Sequence, residues 1–329
     1  MNTNLFSRRE ALIRLAALGA ISMAPTVRAE APYPAKIVKI VLPYSAGGIT
    51  DVTTRLLAQH LSARMGQNVI VQNRPGANGI IGTSEVVRSP ADGYTLLSTP
   101  LAFVVNPHLQ PQLTYDPLGD MTGVSLIGRI PMTLGISGTL PAKSLEEFIA
   151  WGKIQKEPIP FATNGIGGGS HLGALLFAKA AGLNVTAIAY KGMAAAITDL
   201  ASGQIAFAID GVKSFAPHLS SERIRVLAIT GTARSPGIPD IPTFSEAGLG
   251  EFNSSSWLGF LAPKKTPVSI VNQLSGHLDA VINSPEIFAS LQDFGLDPVG
   301  GDAESFNVFL RSEGEKWESV IREFDVKPV

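Results

Sequence analysis

The sequence has 329 residues and no cysteine, which excludes disulfides, thiolate nucleophiles, iron–sulfur clusters and cysteine-held zinc. Histidine is scarce and scattered. His60, His108, His171, His218 and His277 form no close pair, so no histidine metal site is expected. Charged residues make up only 16% of the chain, and no clustered basic stretch of the kind that tracks nucleic acid is visible. Neither of two Gly-rich turns, at 43–51 and 163–171, ends in Gly-Lys-Ser or Gly-Lys-Thr, and the dinucleotide-binding spacing is also missing. The glycines therefore do not read as a nucleotide site. Long apolar runs are lacking too, since the one near the amino terminus falls short of the ~20 residues that a membrane span requires.

That run belongs to an export segment. Arg8 and Arg9 stand in Ser7-Arg8-Arg9-Glu10-Ala11-Leu12, an apolar stretch follows through Met23, and Val27-Arg28-Ala29 is a small-x-small cleavage site. Residues 1–29 look like a twin-arginine signal, an address and not an anchor. Removing them takes away four arginines and one glutamate, which leaves 22 basic and 26 acidic residues and a net charge of −4. Any anion must then be held by a local site. What remains is too long for one compact core, so two domains are expected.

Residues 37–42 are short, β-branched and almost uninterrupted, as in a strand buried on both faces of a parallel sheet. Val52, Leu56, Leu57 and Leu61 then recur at helical spacing. Between them, Pro43-Tyr44-Ser45-Ala46-Gly47-Gly48-Ile49-Thr50-Asp51 forms a strand-to-helix turn. Its glycines let backbone approach a ligand, and the first amides of the helix point into it, which makes it a seat for an anion. A plain tight connection fits the same residues. Two further strands, at 68–71 and 94–98, alternate with a helix over 80–88. This order implies a parallel sheet with its ligand crevice beyond the carboxyl ends of the strands, where Ser98 and Thr99 are secondary candidates.

The pattern then repeats. Residues 106–117 read as loop, and strand material from 124–127 to 134–136 crosses into a new region. A helix over 143–156 opens with Ser144 and Glu147 at capping-box spacing. A strand at 159–162 runs into Thr163-Asn164-Gly165-Ile166-Gly167-Gly168-Gly169-Ser170-His171, the second Gly-rich turn, and a helix over 172–181. Strands at 185–189, 205–209 and 225–230 complete a second α/β unit. The apolar segment 257–261 returns to the first unit, and three helices over 267–282, 285–294 and 303–324 close the chain. The two turns, one per unit, are expected to face each other across a cleft, which suits a carboxylated small molecule.

Seven motifs carry a resemblance: 43–51, 73–79, 92–97, 163–172, Tyr190-Lys191-Gly192, Arg234 with 239–243, and 257–263. In this order they resemble the solute receptors of the tripartite tricarboxylate transporter family, the Bug group of periplasmic binding proteins. The resemblance runs from about Tyr33 to the carboxyl terminus. It implies an α/β, two-domain periplasmic binding protein of the Venus-flytrap, type II-like kind, with the ligand cleft between domains. Domain 1 would comprise 33–130 with 256–329, and domain 2 would comprise 131–255. The implied ligands are tricarboxylates, dicarboxylates, acidic amino acids or aromatic carboxylates, and the implied partners are the membrane subunits of the transporter. A monomer without cofactor or metal, free of nucleic acid and without catalytic residues, follows from the same reading.

The resemblance also assigns the site. The first turn gives Tyr44, Ser45, Ala46, Gly47, Gly48 and Asp51, and the second gives Thr163, Asn164, Gly165, Gly167, Ser170 and His171. Asp210 lies where the family places a residue facing the cleft. Read from the residues alone, Lys191 at a strand end takes a rim position with Tyr190 nearer the ligand, and Trp257 is expected in the core. Two departures stand out: Ser45-Ala46-Gly47-Gly48 replaces the usual Ala-Pro-Gly-Gly, and Gly167-Gly168-Gly169-Ser170-His171 replaces Gly-Ser-x-Ser-His. The second turn is thus looser, at a greater ordering cost on binding. A sensor that signals to a partner fits the same motifs. An exported hydrolase is the rival class, but neither Ser45 nor Ser170 sits in Gly-x-Ser-x-Gly.

Overall fold

The computed structural model describes residues 32–190, 192–250, 252 and 254–326. The expected export segment and Lys191 lie outside the described residues. Strand β1 (Val38–Leu42) has Ile40, Val41 and Leu42 fully buried, as a β-branched run between two parallel neighbours should. Those neighbours are β2 (Val69–Asn73) and β3 (Thr95–Pro100), reached through α1 (Ile49–Met65) and α2 (Ile80–Val87).

The stretch read as loop from 106 differs. Helix α3 (Ala102–Leu109) runs through Pro107. Phe103, Val104, Val105 and Leu109 are all buried, and their packing outweighs the hydrogen bond that the proline removes. A short α4 (Pro117–Asp120), capped by Asp116, leads into β4 (Met121–Ile130).

After Pro131 the chain continues as β5 (Met132–Ser137) and builds a second sheet. Helix α5 (Leu145–Lys153) has the cap that its sequence announces, with the Glu147 N–H donating to Ser144 Oγ at 3.1 Å. The Glu147 carboxylate accepts from the Lys143 N–H, one residue ahead of the cap. Then come β6 (Ile159–Thr163), α6 (Gly169–Ala181), β7 (Val185–Ala189), α7 (Met193–Ser202), β8 (Phe207–Gly211), α8 (Val212–Phe215) and β9 (Ile224–Ile229). The sheet order is β7-β6-β8-β5-β9. Its core is aromatic, with Phe148, Phe161, Phe177, Phe207 and Phe244 buried.

The chain returns as β10 (Ser256–Pro263), antiparallel between β3 and β4. Helices α9 (Val268–Ile282) and α10 (Pro285–Asp293) precede β11 (Asp297–Gly300), and α11 (Ala303–Glu323) follows it. Strand β11 was not expected from sequence: it has four residues, and its Pro298 is tolerable only because the strand sits at an edge. The first sheet has the order β11-β4-β10-β3-β1-β2.

Helix α11 lies against that sheet because two strand residues lack side chains. A Cβ at Gly259 would be 2.2 Å from the Phe306 ring, and one at Gly123 would be 2.6 Å from it. Trp257 is fully buried, and its indole N–H donates to Glu313 Oε2 at 3.2 Å, an acceptor shared with Trp317 at 2.9 Å. Strand directions bring the ends of β1, β3 and β4 and the start of β10 to one edge of the first sheet. The ends of β6, β8 and β9 and the start of β5 meet that edge from the second. The β4–β5 passage through Pro131 joins the two edges.

Candidate functional site

The first turn is held open by a brace below it. Gly47, at φ 93°, aims its N–H at Asp51 Oδ2, 3.0 Å away. Asp51 Oδ1 accepts from Arg55 Nε and from Asn73 Nδ2, each at 3.0 Å. The Asn73 amide also donates to the Tyr44 carbonyl at 3.0 Å. Burial works to raise the Asp51 carboxyl, but the hydrogen bonds from Arg55, Asn73 and Gly47 outweigh it and hold the group below the usual carboxylate range. Asp51 is 4% exposed, so it shapes the turn and keeps its charge away from the mouth.

The second turn is tied by side chains that point inward. Ser170 Oγ lies 3.0 Å from Thr163 Oγ1, accepts from the Asn164 N–H and donates to Asn164 Oδ1 at 2.7 Å. Thr163 Oγ1 also donates to the Gly165 carbonyl. Gly167, at φ 76°, donates its N–H to His171 Nδ1 at 3.2 Å. Burial pushes the His171 imidazole down to about 4, so at neutral pH the ring is uncharged and its Nδ1 can accept. A close approach explains Gly167 as well: a Cβ there would be 2.1 Å from Leu109 Cδ1 on α3.

A cavity of about 470 Å³ lies between the turns. Of the expected residues, Tyr44, Ser45 and Asn164 line it. Ala46, Gly47, Gly48 and Gly165 belong to the same turns without lining it. Thr163, Ser170 and His171 are buried beneath the second turn, and Asp51 beneath the first. Two expectations are displaced further. The Asp210 carboxylate is raised by burial and accepts from the Ser214 hydroxyl at 2.6 Å. The Tyr190 hydroxyl donates to Asp199 at 2.7 Å, with burial and that acid pushing it up to about 12. Ser98 and Thr99 are buried, Ser98 against the Thr54 hydroxyl at 2.7 Å.

Three lining segments escaped the sequence reading: the loop at Pro75–Gly79, the entry to α3 at Pro100–Ala102, and Ser256 at the start of β10. The first lies within the 73–79 motif. Its Asn78, left-handed at φ 49°, donates to Asn106 Oδ1 at 2.9 Å and thereby ties the loop to α3. The signal available was the run of turn formers over 73–79. Ser256 had none, because its place depends on where the return strand begins.

Among the described residues, the lining contains no Asp, Glu, Lys, Arg or His. Gly79, Leu101 and Gly168, the capping residues of α2, α3 and α6, all line the cavity, and α1 begins just beyond Ser45. None of these four helix starts carries a side-chain cap; the Ile80 N–H of α2 is taken by the Ala77 carbonyl, and the other three starts offer their first amides to another acceptor. Burial pushes the Tyr44 phenol upward, which keeps it neutral. Ser170 and His171 adjoin in sequence, yet both bond the backbone or side chains of their own turn.

A family model described as tripartite tricarboxylate transporter family receptor matches residues 53–326. Protein BugT of Bordetella pertussis is 36% identical over 299 residues, covering 90% of this chain and 91% of that protein. Among solved structures, R. palustris Rpa4515 with adipate matches with a TM-score of 0.79 at 32% identity, covering 90% of this chain and all of the other. MatC from Rhodopseudomonas palustris with bound malate matches at 0.73 and 28% identity, covering 88% of this chain and all of the other. The chain shares their two-sheet α/β fold.

Proposed function

Because the chain belongs to the tripartite tricarboxylate transporter family of receptors, we propose that it captures a small dicarboxylate in the cavity between its two sheets. One observation carries this reading: the cavity is lined by helix starts without side-chain caps from both sheets and, among the described residues, by no charged side chain. Each helix start presents up to roughly half a positive charge, and the three that line the cavity together favour a dianion over a neutral solute. At about 470 Å³, the space is within the usual range for small-ligand sites. Ser45, Asn78, Asn164 and Ser256 would orient the carboxylates, and the brace under the first turn would keep its amides in place.

In this reading the protein is exported by its amino-terminal signal and works in the periplasm as a monomer. It closes on its ligand by rotation of domain 1 (33–130 with 256–329) against domain 2 (131–255), and presents that ligand to membrane subunits. Relatives solved with adipate and with malate support the choice of acids. A thermal-shift panel of succinate, malate, adipate and citrate tests it. A ligand at 100 times its dissociation constant adds about 2.7 kcal/mol to the folded state, a visible rise in melting temperature. No shift with any acid, from protein stripped of bound solute by unfolding and refolding, contradicts the reading.

A further inference from the structure

A second cavity, of about 310 Å³, lies at the same meeting of the two sheets and shares no residue with the first. Pro131, Ala216, Ile229, Ala289, Leu296 and Asp297 are among its walls. The strand orders place the two cavities on opposite sides of the β4–β5 passage. In the first sheet, β10, β3 and β1 flank β4 on the side of the first cavity, and β11 flanks it on the other. In the second sheet, β8 and β6 lie on one side of β5 and β9 on the other. The first cavity takes its walls from the ends of β1 and β3, the start of β10 and the turn after β6. The second takes its walls from the lead into β11 and the end of β9, with the segment after β8 completing it.

The passage itself presents a side to each cavity. Met132 reaches forward, its Cε 3.8 Å from where a Cβ on Gly169 would stand, while Pro131 lines the second cavity. Adjacent residues of an extended strand point to opposite faces, which is the alternation seen here. The first side is shut to contact at Gly167 and Leu109, where no room for a Cβ remains.

We propose that the second cavity is the counter-space of closure: rotation about the β4–β5 and β10 strands that opens the first cavity narrows the second. Filling the second therefore holds the receptor shut. This rests on the closure reading given above and adds to it a site that sets the open-to-closed balance from outside the ligand seat. A side chain that fits the described conformation and collides when the rear walls approach penalises only the open form. Apparent affinity rises as the competent fraction of the free receptor rises.

Ala289 on α10 and Ala216 on the opposite wall are both exposed, so Ala289→Trp and Ala216→Trp each fill the space without replacing a core residue. Solution scattering of the ligand-free proteins decides the matter. Each variant should show a smaller radius of gyration than the unsubstituted protein, and should bind whichever of adipate or malate raises its melting temperature about tenfold more tightly. Variants that melt normally but scatter as the ligand-free parent does, while the parent contracts with acid, overturn the counter-space alone. A parent whose scattering is unchanged by an acid that binds it overturns closure, and the counter-space with it.

Discussion

Gly169→Trp should abolish ligand binding and leave the melting temperature of the free protein close to normal. Gly169 opens α6 and lines the cavity, with Ser256 Cβ at 3.5 Å and Met132 Cε at 3.8 Å from its Cβ position. Those are ordinary contact distances, so the first atom of a side chain is accommodated and the rest must occupy ligand space. An indole there also covers the amides at the start of α6. Loss of one uncapped helix start and of most of the free volume should lower affinity by about 100-fold or more, close to 3 kcal/mol. Calorimetric titration reads the loss, and a melt of the ligand-free variant shows whether the fold is kept. Binding within a few-fold of the parent would remove the second turn from the site.

Asp51→Ala should be the most damaging single change that leaves the cavity walls untouched. The carboxylate is the shared acceptor for the Gly47 N–H, Asn73 Nδ2 and Arg55, and alanine removes it, leaving Arg55 only Asn73 Oδ1 and Asn73 Nδ2 only the Tyr44 carbonyl. Stability should fall by about 2 kcal/mol, since several hydrogen bonds to one charged acceptor are lost together. Affinity should fall about tenfold as the first turn loses its shape, a loss of about 1.4 kcal/mol. Asp51→Asn separates charge from shape. The folded carboxyl titrates below its unfolded value, so its contribution is present above the unfolded value and is lost as pH falls through the folded one. The stability gap between the parent and Asp51→Asn should therefore shrink as pH drops below about 4. A gap that stays constant in urea melts from neutral to acid pH would contradict the brace.

Much of this arrangement was legible in the residues, and the parts that were not have physical reasons. The strand, glycine and helix spacing around Gly47 and Gly167 announces two turns of one kind, and the alternation of strands and helices announces sheets with crossovers. Spacing does not say which way a short polar side chain turns. Thr163, Ser170 and His171 stand in the right turn, yet their hydroxyls and ring fold inward to pin Asn164, Gly165 and Gly167. Asp51 sits in a first helical turn, where acids are common, and only the meeting with Asn73 and Arg55 distinguishes a brace from a helix-end acid. Ser256 lines the cavity because β10 runs antiparallel to β3 and starts at the shared edge, a matter of strand pairing far along the chain. Helix α3 was hidden by Pro107, and with it went the entry segment Pro100–Ala102. The second cavity draws on residue 131, residues 212–237 and residues 289–297, which only the finished topology brings together.

The claim at the centre is that helix starts and uncharged side chains, with no charged group among the described lining residues, hold two carboxylates. Its most direct measurement is a calorimetric titration with succinate, malate and adipate, each beside its uncharged diamide of the same length. The account predicts that the acid which binds does so at least about tenfold more tightly than its diamide, a gap of 1.4 kcal/mol or more. A diamide that binds as tightly as its acid would contradict it.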